Sequence, residues 1–387
     1  MDHPTQLRLA NQLLDLIDRN GTSLAASCSV NPVSSYTCPE HLGREQARLF
    51  RSGPLMVGLS CELSGPGAYL TDDLSGVPIV IIRLPEGGLN AFINVCRHRG
   101  ARLLEGNGTL ARSMTCPYHG WRYDLHGRLK KLVPADGFQG LGCAERDLTR
   151  LAVFEQHGLI WVSPSPGRAM EPLALLGGLS QEIAAYRFET FVLYRRLQLH
   201  RSFNWKMVIE TFLENWHFPF VHRRTVLPIF LPSVSLFEAF DRHGRLIMPR
   251  RSILQMRDKP IEQWSLLKHS LIMYWLFPNT LLLWQADHLE TWQVYPSQER
   301  PDRCTAQVSL YTPHAATSVR EREYWDKNLA LLIETVDGED FAISERIQPG
   351  LRSGAQECLT FGRHEPALQH FHRQIQLALE EAPVSVG

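Results

Sequence analysis

The chain has 387 residues and carries 40 Lys+Arg against 40 Asp+Glu. That is enough for two or three domains, and the balance argues against a nucleic-acid-binding face or a polybasic membrane anchor. No apolar run reaches the roughly 18 residues of a transmembrane helix, and Met1-Asp2-His3-Pro4 lacks the basic and apolar regions of a secretory signal. The expectation is a soluble, cytoplasmic protein, and its eight scattered Cys suggest no disulfide framework.

Leu9, Leu13, Leu14 and Ile17 make a helical apolar stripe over residues 5–19 that stops at Asn20-Gly21. Residues 22–40 read as a loop or arm, and 41–50 as a short helix. From about 52 to 165 the texture changes to short β-rich runs (79–82, 91–95, 159–162) punctuated by Asp72-Asp73, Pro85-Glu86-Gly87-Gly88 and His126-Gly127. This predicts a small antiparallel β domain that ends near Pro164, Pro166 and Gly167. The remainder reads as α+β: a helix over 203–218, strands at 271–276, 280–284, 290–295 and 304–311, and helices over 318–335, 338–348 and 366–380. Pro349-Gly350 should stop the second of these. The expected domains are an N-terminal helix and arm (1–45), a cluster domain (46–166) and a catalytic domain (167–387). No Gly-x-Gly-x-x-Gly fingerprint for a nicotinamide or flavin is present, so the reductant should come from another protein.

Both chemistry-bearing motifs of the β domain fall in loops. Cys96-Arg97-His98-Arg99-Gly100 is followed by Cys116-Pro117-Tyr118-His119-Gly120-Trp121. Each segment supplies one thiolate and one imidazole, the donor set of a Rieske [2Fe–2S] centre in which one iron takes both Cys and the other both His. A structural zinc site is the rival, but such sites more often pair Cys-x2-4-Cys with His-x3-5-His. Gly100 and Gly120 should let backbone approach the cluster, and Tyr118 and Trp121 should shield it.

A second group of candidates stands downstream: Asn204-Trp205-Lys206, Glu210, Glu214, Trp216, His217, Pro219 and His222. Five positions on a straight helix turn about 500°, which leaves His217 and His222 about 140° apart. Pro219 should bend the helix and bring both rings to one metal. Two His plus one carboxylate is the facial set of non-haem Fe(II) oxygenases. Spacing leaves Asp337, Glu339 and Asp340 competing as the carboxylate, on a helix whose Phe341, Ser344, Ile347 and Gln348 share a face. Glu214, three residues before His217, is either a surface acid or a partner that orients a ligand imidazole.

With these residues the chain resembles the Rieske non-haem iron oxygenases, the catalytic α-subunits of ring-hydroxylating oxygenases, from about residue 45 to 380. The resemblance implies a helix-grip catalytic domain with mononuclear iron on His217, His222 and Asp340. It also implies a homotrimer in which Glu214 bridges this iron to the [2Fe–2S] cluster of a neighbour, held there by Cys96, His98, Cys116 and His119. Electrons would come from NAD(P)H through a separate reductase, with or without a ferredoxin. Glu at position 214, where Asp is commoner in the family, looks like the carnitine- and glycine-betaine-type members and also occurs in some aromatic-acid members, while Trp216 replaces the more usual Tyr.

The apolar run 271–284 reads mostly as sheet core, with alternate residues available to line a pocket. Oxygenation of an aromatic or hydrophobic substrate is the leading expectation. Oxidative N-demethylation or C–N cleavage of a quaternary ammonium compound is the alternative. A pure electron carrier would need little more than the β domain, and a zinc-stabilised binding protein would need neither iron.

Overall fold

The apolar runs bounded by turn residues become strands. The computed structural model describes residues 1–141, 144–172 and 175–381. One unit comprises Gln46–Leu175 with Arg187–Thr190, and the other Met1–Glu45, Leu176–Tyr186 and Phe191–Glu381.

The first unit is antiparallel β throughout. Its five-stranded sheet runs Arg150–Leu151, Gly87–Ile93, Ile79–Leu84, Ala68–Asp72, Asn107–Thr109. Two three-stranded sheets complete it, one of them joining Ser113–Thr115, Arg122–Asp124 and Leu129–Lys131. Val80, Ile82, Phe92, Met114, Trp121 and Tyr123 form its core, and Cys96 and Cys116 are buried in that same cluster.

The second unit is built on a seven-stranded antiparallel sheet. Its order is Val192–Arg201, Cys304–Thr312, Leu289–Pro296, Thr280–Trp284, Ser270–Leu276, His243–Pro249, Leu236–Phe240. Side chains alternate across a strand, so Leu271, Met273 and Trp275 share a face. Trp275 packs on Phe371 of the C-terminal helix Pro366–Glu380 at 5.0 Å between ring centroids. On the other face, Tyr274 bonds Tyr186 at 2.8 Å.

Local structure departs from the sequence pattern at four places. The stretch 22–40 holds a strand, Ser29–Pro32, paired with Cys358–Phe361 near the other end of the chain, a partner no local pattern reveals. Residues 203–218 are not one helix: Trp205–Phe212 stops, and a separate one-turn helix, Phe218–Val221, begins after His217. Pro219 therefore sits in the first turn of a new helix, where its missing N–H costs nothing, rather than kinking an old one. The two helices expected over 318–335 and 338–348 are one continuous run, Val319–Ile333, a π-helical turn Glu334–Asp340, and Phe341–Leu351, with Pro349 inside it. On the last segment Ile347 is exposed, because it lies about 80° off the centre of the stripe that buries Phe341, Ser344, Gln348 and Leu351.

The helix Trp205–Phe212 is anchored by its first three residues. The Asn204 side chain caps it, accepting from Lys206 N at 3.1 Å, and donates to Pro301 O at 2.8 Å. Lys206 Nζ meets Glu45 Oε1 at 2.6 Å, and Trp205 Nε1 donates to Glu45 Oε2 at 2.8 Å. Both charged groups are buried. Burial pushes the Glu45 carboxyl up, but the Lys206 ammonium and His41 together outweigh it and hold the acid below its ordinary range. Removing one partner of such a pair leaves an uncompensated buried charge, at a cost of about 3–5 kcal/mol. Glu45→Leu should therefore lower the calorimetric melting transition of this unit, and adding Lys206→Met should recover most of the loss. A double variant as unstable as the single one would refute the argument.

Candidate functional site

In the first unit, two loops with the same backbone pattern hold the cysteines and histidines. Cys96 N donates to Ala101 O at 2.8 Å and Gly100 N to Cys96 O at 3.0 Å; Cys116 N donates to Trp121 O at 2.8 Å and Gly120 N to Cys116 O at 3.1 Å. Each loop needs a left-handed residue to close, and Gly100 (φ +78°) and Gly120 (φ +70°) supply it. A Cβ on Gly100 would meet nothing within 4 Å, so backbone conformation requires this glycine, not closeness to a neighbour.

The loops bring the His98 and His119 rings to 4.7 Å, edge to face. Nδ1 of both rings is buried with no hydrogen-bond partner. Two buried thiols and two orphaned imidazole nitrogens in one pocket fit a [2Fe–2S] cluster, whose irons would take up just these atoms. Trp121 is buried and stacks on His98 at 4.7 Å and 10°. Tyr118 is 57% exposed and lies against the His119 ring at 3.7 Å and beneath the Arg99 guanidinium. Tyr123 OH approaches Cys96 Sγ at 3.5 Å and accepts from Arg97 N at 3.1 Å, a contact the sequence did not suggest.

In the second unit, His217, His222 and Asp340 converge. The separations are 3.0 Å between the two Nε2 atoms, 2.9 Å from His222 Nε2 to Asp340 Oδ1, and 3.4 Å from His217 Nε2 to the same oxygen. Donors about 2.1 Å from one metal at right angles lie about 3.0 Å apart, so the triangle has the size of one face of an octahedral site.

Each ring is aimed from behind. His217 Nδ1 donates to Glu214 Oε1, and His222 Nδ1 donates to Glu339 Oε2 at 2.6 Å. A carboxylate can only accept, so both Nδ1 atoms carry hydrogen and both Nε2 lone pairs face the shared point. Glu214 lies in no helix; its other oxygen accepts from Trp216 N at 2.5 Å and closes the turn between the two helices. Thr225 Oγ1 donates to Glu339 at 2.6 Å and fixes it in turn.

The three acids that spacing could not separate have three different fates. Asp340 faces the imidazoles, Glu339 orients His222, and Asp337 pairs with Arg201. The π-helical turn makes this possible: its extra residue per turn shifts the register, placing Asp340 on the buried side with Thr335 and Val336. Burial pushes the Asp340 carboxyl up despite the pull of His222 and His217. At His222 burial opposes protonation, yet Asp340 and Glu339 outweigh it and raise the ring.

A cavity of about 190 Å³ opens on this triad. Leu271, Met273 and Leu283 line it, while Trp275 on the same sheet face packs as core. Phe212, Phe218 and Phe230 add rings, and Arg250, Gln285, His288 and Glu290 add polar groups.

Residues 188–381 match the ring hydroxylating alpha subunit (catalytic domain) family, and residues 53–141 match the Rieske [2Fe-2S] domain. The choline monooxygenase of Spinacia oleracea is 26% identical over 360 residues, which cover 90% of this chain and 78% of that protein. The putrescine 2-hydroxylase of Ralstonia nicotianae is 28% identical over 367 residues, 88% of this chain and 93% of that protein. Among solved structures, a quaternary ammonium Rieske monooxygenase, described for carnitine oxidation and inter-subunit electron transfer, superposes with a TM-score of 0.76 at 20% identity. The match covers 92% of this chain and 95% of that one. The chain thus belongs to the ring-hydroxylating alpha-subunit family of Rieske non-haem iron oxygenases.

Proposed function

We propose that this terminal oxygenase oxidises a carbon beside nitrogen in a quaternary ammonium or related amine. One atom of O2 enters a C–H bond and the other leaves as water, with two electrons and two protons consumed. The observation that carries the site assignment is the triangle of donors at 3.0, 2.9 and 3.4 Å, each imidazole backed by its own carboxylate. In this reading His217, His222 and Asp340 hold mononuclear iron, and Cys96, His98, Cys116 and His119 hold the cluster. The iron, when bound, supplies the oxygen chemistry. The chain's part is to fix three donors on one face and leave the others open to the cavity.

Support for the substrate class comes from the relatives named for choline, putrescine and carnitine. It displaces aromatic oxygenation from first place. Cavity size agrees: about 150 Å³ is enough for benzene, so about 190 Å³ suits one ring or a compact ammonium compound. Phe212 and Phe218 add aromatic rings to the lining, the kind of group that attracts a cation. A one-ring aromatic substrate is the second reading, favoured by the aliphatic wall of Leu271, Met273, Leu283 and Leu331.

Glu214 reaches His217 with one oxygen and backbone N–H groups with the other. We assign it the electron-transfer bridge toward a neighbouring subunit's cluster, in a homotrimer fed by an NAD(P)H-dependent reductase with or without a ferredoxin.

Three outcomes are expected. With a surrogate reductase, choline, glycine betaine or putrescine should stimulate O2 uptake with stoichiometric product; stimulation by benzoate-type acids alone would reverse the ranking of the two readings. Asp340→Ala should lose mononuclear iron by elemental analysis and keep the cluster absorbance, whereas Asp337→Asn keeps both; equal iron loss would unseat Asp340. Glu214→Gln should retain both metals yet slow substrate-triggered cluster oxidation by about tenfold or more in single turnover, the scale of lost orienting contacts at metal ligands. An unchanged rate would remove the bridge.

A further inference from the structure

Arg250 stands at the cavity wall with most of its hydrogen-bonding capacity unused. Its backbone N donates to His269 O at 2.9 Å, directly after the strand His243–Pro249, so its place is fixed by the sheet. The guanidinium lies over the Phe230 ring at 5.2 Å. Its one side-chain hydrogen bond among the described residues runs from Nη2 to Gln285 Oε1 at 3.0 Å, and Nε is buried without a partner. An arginine carries five N–H donors and never gives up its charge in a protein, so a half-buried guanidinium with a single neutral acceptor is missing an anion.

The nearby acids do not fill that role. Asp287 accepts from His288 Nδ1 at 2.7 Å and from Tyr324 OH at 2.6 Å. Glu290 Oε1 is 3.4 Å from His288 Nε2. Burial disfavours charge on His288, but these two acids outweigh it and the ring is pushed up to about 9. Both acids thus pair with His288, Glu290 Oε2 is buried with no hydrogen-bond partner, and no carboxylate among the described residues forms an ion pair with Arg250. With His288 protonated, the four groups sum to zero charge before any ligand enters.

The position of Arg250 relative to the triad is set by a row of rings. Phe218 lies 5.3 Å from the His222 ring, Phe230 lies 6.0 Å from Phe218, and the guanidinium caps Phe230. Phe218 and Phe230 thus stand between the triad and Arg250, in a lining whose other polar groups include Thr211, Gln285, His288, Glu290, Asn328 and Thr335.

We propose that Arg250 binds a carboxylate at the end of the substrate remote from the oxidised carbon. The guanidinium fork suits two-point contact with a carboxylate. Among ammonium compounds this selects betaine-like acids over choline-like alcohols and diamines. The cation's place rests on the amine reading above, while the carboxylate contact does not depend on it.

The test is calorimetric binding to the anaerobic, metal-loaded full chain, with glycine betaine, choline and benzoate as probes. Wild type should bind glycine betaine more tightly than choline. Arg250→Gln should cut the betaine-to-choline affinity ratio by about tenfold or more, the scale of one lost charged hydrogen bond, and should weaken benzoate. Arg250→Lys should fall between, keeping charge and losing the fork. Cluster absorbance and melting temperature check that the variants are intact. Choline binding as tightly as betaine to wild type overturns the proposal without any variant, as does an unchanged ratio in intact Arg250→Gln. Arg250-dependent binding of benzoate with no binding of either ammonium compound would keep the carboxylate contact and remove the amine reading.

Discussion

Two imidazole rings can present lone pairs to one point only if their other nitrogens are tied down, and everything around the triad serves that constraint. His217 is held by Glu214 and His222 by Glu339, itself held by Thr225. The helix Trp205–Phe212 must end early enough for Glu214 to turn back onto His217, and it ends after two turns. Its start is fixed by Asn204 and by the buried Lys206–Glu45 pair. That pair costs desolvation energy, so its value lies in fixing where the helix sits rather than in net stability. A shift of one residue there would move both histidines, because His217 follows within five residues of the helix end.

The same constraint explains the π-helical turn. On a regular α-helix Glu339 would lie 100° from Asp340, while Asp337, three residues earlier, would lie only 60° from it. The wider turn lets adjacent Glu339 and Asp340 both reach His222, at 2.6 and 2.9 Å. It carries the chain from the apolar stripe of Val319–Ile333 to that of Phe341–Leu351 without a break. Insertions of this kind occur mostly at functional sites, where their strain is repaid by a residue put in the right place.

These features set how far the sequence could be read. The cysteine and histidine loops were legible because their donors are local: each loop closes on itself through bonds four and five residues apart, and the pattern repeats. The strands were legible because their apolar runs and turn residues are also local. The choice among Asp337, Glu339 and Asp340 was not, since it depends on an extra residue per turn that no α-helical period predicts. The same periodicity misplaced Ile347 on the buried face. His217 and His222 were brought together for a reason other than the expected one, a second helix start rather than a proline kink.

The substrate end of the cavity was the least legible, and the cause is topological. Arg250 follows one strand, Gln285 follows another, Glu290 lies on a third, and Phe218 and Phe230 come from the segment between helix and sheet. In sequence Arg250 is one of two adjacent arginines after Met248-Pro249, with no spacing to mark it. Only the register of the sheet, which pairs Leu283 with Glu290 and Met273 with Leu283, turns these positions onto one wall. The paired histidines and the cysteine–histidine loops are each local in sequence, whereas Asp340 meets His222 from 118 residues away. Substrate contacts need only a shared surface, and a seven-stranded sheet can draw that surface from anywhere along the chain. Reaction class is therefore written in two short motifs, while specificity is written across the sheet.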